Sequence, residues 1–243
     1  MKAKVFKIES FGAVDGPGVR LVIFLQGCSF RCKYCHNPES WDLNSNNIQE
    51  LSVEEIIDMF ERNKAFYANG GITLSGGEPM MQFEFVKELA LECKKRHIHL
   101  AIDTAATTLM TRHKDYLDLL DLVDLWIVDV KATNPEEHKF ITGDENLTGL
   151  NLVTLLEQNQ RPYWIRNVII KGFNTDFNHI KEMVRAIKPL MHLRKFEYLP
   201  FHNLCSEKYE RLGIDFAFKD KEIMSKEEVD KIKNDFNVLL NKQ

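Results

Sequence analysis

Apolar runs of strand length alternate with stretches of helical period along most of this chain, and that alternation limits the fold more than any single residue does. After a short first strand near residues 5–8, six strand-then-helix units follow, with strands expected at 21–26, 72–74, 98–102, 126–130, 163–170 and 196–199. Most are short and apolar without polar alternation, the pattern of parallel strands covered on both faces. Helices are expected over 53–68, 79–96, 114–120, 148–158 and 179–189, with a last one running to about 240. Ser52-Val-Glu-Glu55 and Ser225-Lys-Glu-Glu228 read as capping boxes for the first and last of these. Repeated βα units imply right-handed crossovers and a parallel sheet. Six units suggest an open barrel, against eight for a closed one. The expected fold is therefore α/β, a partial (β/α)6 barrel of parallel strands. It forms one domain over 1–243, with a core at about 11–205 and a C-terminal helix at about 226–241. The polar patch 44–49 reads as a surface loop.

The 243 residues suffice for one large α/β domain and are few for two. With 44% hydrophobic and 28% charged residues the composition is that of a water-soluble globular protein. A net charge of −4 offers no basic surplus for nucleic acid. No apolar run approaches the ~18–20 residues of a membrane span, and the first residues, charged throughout, lack a signal-peptide core. Five cysteines, an odd and clustered set, argue for reduced thiols and against a secreted disulfide framework. The expected location is the cytoplasm.

Three of those cysteines, Cys28, Cys32 and Cys35, stand in Gly27-Cys-Ser-Phe-Arg-Cys-Lys-Tyr-Cys-His36. Three thiolates on one short loop can clamp three corners of a soft metal cluster, where a structural site takes four protein ligands. The corner left over is a position for a substrate or cosubstrate. A zinc loop, with His36, Cys93 or Cys205 as fourth ligand, is the plainer alternative, as are purely structural cysteines. Cys93 falls on the apolar face of its helix and reads as core. Cys205 is read as a free thiol near the mouth of the site, not a cluster ligand.

In parallel α/β folds chemistry gathers at strand carboxyl ends. Here those ends carry the cysteines, Ser75-Gly-Gly-Glu-Pro79, Asp103 with Thr104, Asp129-Val-Lys131, Arg166 and Leu199-Pro-Phe-His202. Each has a bland reading: a turn for Gly76 and Gly77, an ion pair for Asp129 and Lys131, a carboxylate partner for Arg166, a structural ring for His202. Their recurrence at one end of the sheet points to one site there.

The cysteine spacing resembles the signature loop of radical S-adenosylmethionine (radical SAM) enzymes. Phe24-Leu25-Gln26-Gly27 before it and His36-Asn37-Pro38 after it are similar to the glycyl-radical-enzyme activases. No cysteine-rich insertion follows Trp41, which resembles the pyruvate formate-lyase type of activase. The resemblance covers nearly the full length. It implies a 4Fe–4S cluster on Cys28, Cys32 and Cys35, with S-adenosylmethionine held by Tyr34, His36, Gly76, Gly77, Glu78, Asp129, Val130, Lys131, Arg166 and His202. It also implies a monovalent cation near Asp103, Thr104 and Asp129. Asp15, in Asp15-Gly-Pro-Gly18, is placed at the rim, where it seats the partner's glycine loop. Ala105 and Ala106 depart from the family's usual Asn or Ser followed by Gly. The implied partners are pyruvate formate-lyase as protein substrate and flavodoxin or ferredoxin as electron donor, the chain itself acting as a monomer. An activase of another glycyl radical enzyme, or a non-catalytic metal-binding protein, are the alternatives.

Overall fold

Eight strands form one sheet in the order β3-β1-β2-β4-β5-β6-β7-β8. The computed structural model describes residues 1–45 and 48–241. Six strands run parallel: β2 (Arg20–Leu25), β4 (Gly71–Gly76), β5 (Leu100–Thr104), β6 (Leu125–Asp129), β7 (Tyr163–Ile169) and β8 (Leu193–Pro200). These are the six expected units. Helices α1 (Val53–Arg62), α2 (Phe83–Arg96), α3 (His113–Leu119), α5 (Thr148–Gln158), α6 (Phe177–Ile187) and α8 (Lys226–Asn241) match the six expected ones. Their apolar faces and the strands form one buried cluster that runs from Ala3 to Phe236. β6 explains why its run lacks alternation: Trp126, Ile127 and Val128 are all fully buried.

The sheet curls. Arg166 on β7 donates a hydrogen bond to the Val14 carbonyl, in the turn that leads into β2. Three strands, β4, β5 and β6, lie between β2 and β7 in the sheet, so this contact spans the hollow of a curved sheet. β3 and β8 remain as its two edges. The result is a partial barrel, as expected.

Several boundaries differ from the sequence reading. The first strand, β1 (Lys2–Gly12), is 11 residues long and pairs antiparallel with β2. A further strand, β3 (Gln49–Ser52), pairs with β1. The expected loop at 44–49 thus ends in a strand, and Asn46 and Asn47 lie outside the described residues. The helix from Val53 stops at Arg62, and a 3-10 turn (Lys64–Tyr67) follows Asn63. The stretch after Pro79 begins as a 3-10 turn (Pro79–Gln82) before α2. α6 ends at Ile187; Lys188 still has helical dihedrals, and Pro189 has no N–H with which to continue the ladder. Two short helices were not anticipated, α4 (Pro135–Thr142) and α7 (Ser206–Leu212). Both capping boxes are present: Ser52 with Glu55, and Ser225 with Glu228. Among the described residues no helix is long and apolar enough to cross a membrane.

Candidate active site

The carboxyl ends of the parallel strands open onto a cavity of about 280 Å³ lined by Cys28, Cys32 and Cys35. Gly27, at φ +99°, turns the chain out of β2 into the cysteine loop. Its amide donates to the Ser40 carbonyl at 2.7 Å, and the Cys28 amide to that of Trp41 at 3.1 Å. The middle of the loop leans on α4: the Arg31 amide donates to the Thr142 carbonyl at 3.0 Å and the Lys33 amide to that of Ile141 at 2.9 Å. α4 was not anticipated from the sequence, yet it fixes the loop.

Burial pushes all three thiols up, Cys32 to about 12, so they are neutral without a metal. A bound iron would stabilise their thiolates. Among the described residues no three His, Cys, Asp or Glu side chains gather closely enough to hold a single metal ion. The three thiols border one cavity. His202 Nδ1 is buried without a hydrogen-bond partner among the described residues. Its ring stacks on His36 at 4.1 Å and 14°, and His36 lines the cavity. His36 Nε2 lies 2.9 Å from the His202 carbonyl; burial lowers its pKa, so the ring is neutral and donates there. The His36 ring, backed by His202, gives the cavity an aromatic face that suits the heteroaromatic end of a nucleoside. These residues fit both the cluster and S-adenosylmethionine.

Lys131 and Asp129 line the same cavity and pair at 2.7 Å. Burial opposes the Lys131 charge, but Asp129, Tyr34 and Cys32 together outweigh it and the pKa rises. Arg166 faces three carboxylates: Glu197 at 3.2 Å, Asp103 at 3.4 Å and Asp15 at 3.7 Å. Burial raises the pKa of Asp103 more than Arg166 lowers it. The Ser75 hydroxyl donates to Asp103 at 2.8 Å.

Most predicted site residues thus meet at one cavity, with three exceptions. Val130 is in the core, where its amide donates to the Arg166 carbonyl at 2.9 Å. His202 stands behind His36. Glu78 is fully buried and its carboxylate is engaged within the protein, accepting from the Thr104 hydroxyl at 2.6 Å and the amides of Met80 and Thr107 at 3.1 and 3.2 Å. Gly76 and Gly77 line the cavity, but the Gly77 amide donates to Leu25 and the Glu78 amide to Gly27. A Cβ on Gly76 would come within 2.4 Å of the Leu25 backbone, and one on Gly77 within 2.3 Å of the Gly27 carbonyl. The glycines serve close packing of β4 on the root of the cysteine loop.

Asp15 stands in the cavity wall, not apart on a rim. The Thr73 hydroxyl donates to its carbonyl at 2.6 Å, and buried Arg20 donates to Thr73 and to the Pro17 carbonyl. Ala106 takes a left-handed conformation at φ +56°, the region that favours glycine. The loop is held by the Ala106 amide donating to Thr104 and the Thr148 hydroxyl donating to the Ala105 carbonyl. Cys205 is buried in the aromatic cluster under the cysteine loop, away from the mouth. Cys93 is fully buried core. The sequence reading gave no role to Ser75, though it named it within the glycine motif, nor to Glu197, which pairs with Arg166. Both could have been found, since Ser75 opens the glycine motif and Glu197 lies near a strand end.

A partial βα barrel with three cysteines after its first parallel strand, facing charged strand ends, defines the radical SAM class of iron–sulfur enzymes. Residues 14–147 match the family model for a 4Fe-4S single cluster domain. The chain is 37% identical over 215 residues to the pyruvate formate-lyase-activating enzyme of Streptococcus mutans, covering 87% of this chain and 82% of that one. It is 36% identical over 239 residues to the one of Clostridium pasteurianum, covering 98% of each. The chain belongs to the family of pyruvate formate-lyase-activating enzymes. In fold it resembles a domain of such an enzyme from Bacteroides vulgatus, with a TM-score of 0.57 at 24% identity, over 70% of this chain and 95% of that one. It also resembles Streptococcus suis SuiB bound to precursor peptide SuiA, with a TM-score of 0.68 at 16% identity, over 93% of this chain and 46% of that one.

Proposed function

We propose that this chain activates pyruvate formate-lyase by generating a glycyl radical on it. The observation that carries the reading is that three thiols of one loop share a single cavity with Lys131, Asp129 and Arg166. In this reading Cys28, Cys32 and Cys35 hold the 4Fe–4S cluster. When bound and reduced, the cluster supplies the electron that splits S-adenosylmethionine into methionine and a 5′-deoxyadenosyl radical, which takes a hydrogen atom from a backbone glycine of the partner. The cluster's chemistry is its own; the chain contributes binding, orientation and exclusion of water. Lys131 and Asp129 offer opposite charges to the methionine and ribose groups. His36 meets the adenine end, with the His202 ring stacked behind it. Arg166 and Asp103 line the wall opposite the cysteines, and Asp103, Thr104 and Asp129 are the candidates for a monovalent cation. Val130, Glu78 and the glycine pair shape this wall through the backbone. Asp15 lies where an arriving glycine loop would meet Arg166. A reduced flavodoxin or ferredoxin in the cytoplasm is the electron source, and the chain acts as a monomeric single domain.

The test is spin resonance on pyruvate formate-lyase incubated anaerobically with the reconstituted protein, a reductant and S-adenosylmethionine. A glycyl radical on that partner is expected, and a radical only on another glycyl radical enzyme would overturn the partner assignment. Cys28→Ala, Cys32→Ala and Cys35→Ala should each lose cluster and cosubstrate cleavage, whereas Cys93→Ala and Cys205→Ala should keep iron near wild type. Loss of iron from the Cys205 variant would refute the three-cysteine site.

A further inference from the structure

Residues Cys35, His36 and Asn37 belong to no strand or helix. Within the loop the Cys35 amide donates to the Cys32 carbonyl at 3.0 Å and Ser40 donates to the Asn37 carbonyl, and the rest of their hold comes from elsewhere in the fold. Two adjacent residues of α7 do this. Tyr209 is 2% exposed, and its hydroxyl donates to the Cys35 carbonyl at 2.9 Å. Its ring stacks on Phe216 at 4.5 Å and meets the edge of Trp41 at 5.9 Å, which sets the direction of the hydroxyl. The Lys208 ammonium donates to the His36 carbonyl at 2.8 Å and the Asn37 side-chain oxygen at 3.0 Å, and pairs with Glu39 at 2.8 Å. An ammonium has three donors, and all three go to this one stretch of chain.

α7 contributes little else. Of its seven residues only Tyr209 is buried, so it is not retained for an apolar face. The two flanks of the cysteine loop are held differently. On the α4 side the bonds run from backbone to backbone, and no side-chain substitution removes them. On the other side, the bonds that α7 sends to the Cys35 and His36 carbonyls come from two side chains.

We infer that Lys208 and Tyr209 are positioning residues for the cluster loop, holding Cys35 and His36 in place before iron binds. This rests on the functional reading above for what the loop carries, though the contacts exist without it. Preorganisation of this kind matters because a ligand loop that must be ordered at the moment of binding holds its metal less tightly.

The experiment compares wild type with Tyr209→Phe and Lys208→Met, and uses Lys208→Arg as the conservative variant. In the apo proteins, hydrogen exchange at the amides of residues 35–37 should rise about five-fold in both variants, the size expected for one lost hydrogen bond, while exchange in β5 and β6 stays at the wild-type level. After anaerobic reconstitution each should load iron fully but release it to a chelator about five-fold faster. The spin resonance signal of the reduced cluster with S-adenosylmethionine should broaden, and Lys208→Arg should restore both properties. An equal rise in exchange across the whole sheet would overturn the inference, because α7 would then serve global stability. Unchanged exchange and iron release in both variants would overturn it as well. If Tyr209→Phe does not fold, Lys208→Met, at a half-exposed position, decides. A wild-type chain that binds no iron yet shows the exchange changes on substitution would refute the functional reading and leave the positioning contacts standing.

Discussion

Lys131 and Asp129 stand two residues apart and pair with each other, with the Lys131 side chain only 10% exposed. A buried pair of this kind costs most when broken from one side. Lys131→Met should weaken S-adenosylmethionine binding by roughly 10-fold or more, the scale of one hydrogen bond to a charged group. Adding Asp129→Asn should cost less than the sum of the two single changes, because the second removes a carboxylate already stranded by the first. Binding titrations on reconstituted protein measure this, and unchanged affinity in both single variants would reduce the pair to a structural contact. At this scale the sequence was legible where chemistry sits on a short run, as with the three cysteines. It was silent where a motif's own backbone is engaged in tertiary contacts. The amides of Gly77 and Glu78 donate to the Leu25 and Gly27 carbonyls, and only the approach of β4 to the end of β2 shows this.

At the scale of elements, long periodic segments declared themselves and short ones did not. α4 carries a readable start and stop: the Asn134 side chain accepts from the Glu137 amide, Pro135 follows, and Gly143 ends the helix at φ +87°. With eight residues it has too few turns for a period to stand out. β3 is Gln-Glu-Leu-Ser, polar and four residues long, and it is a strand only because β1 extends far enough to pair with it. The junction of α5 with β7 and β8 gives a testable case. Burial alone would raise the pKa of Glu157. Hydrogen bonds from the Tyr163 hydroxyl, the amides of His192 and Met191 and the His192 ring outweigh it and bring the value down to about 2. The folded pKa lies below the unfolded one, so this carboxylate stabilises the fold above about pH 4.5, and the contribution is lost as pH falls from there towards about 2. Urea unfolding of the apo protein should find Glu157→Gln less stable than wild type by about 2 kcal/mol at pH 7, with the gap closing on acidification. A gap that stays constant down to pH 3 would mean that packing, not charge, is what the substitution removes.

For the whole molecule, the six parallel units and the open barrel followed from alternation, but what draws the barrel's two sides together did not. Arg166 performs that task. From β7 it reaches the Val14 carbonyl and Asp15 across the hollow, Asp103 on β5 and Glu197 on β8. In the sequence it was one arginine in a Trp-Ile-Arg strand, and neither the curl of the sheet nor the three carboxylates could be read from its neighbours. Burial works against its charge, yet the surrounding carboxylates raise its pKa. Arg166→Gln keeps most of the volume and removes the charge, leaving three carboxylates facing one another. The expected cost is about 3–5 kcal/mol in urea unfolding of the apo protein at pH 8, the scale of a buried charge left without its partner. Asp103 already titrates above its ordinary value with Arg166 present, and without Arg166 it must rise further. A carboxyl whose folded pKa is raised destabilises the fold increasingly as pH climbs through that pKa, so the deficit should be smaller at pH 5 than at pH 8. Adding Asp103→Asn should recover part of the loss by removing one of the stranded charges. A deficit equal at both pH values, with no recovery in the double variant, would show that Arg166 acts through packing alone and that its charge does not hold the barrel together.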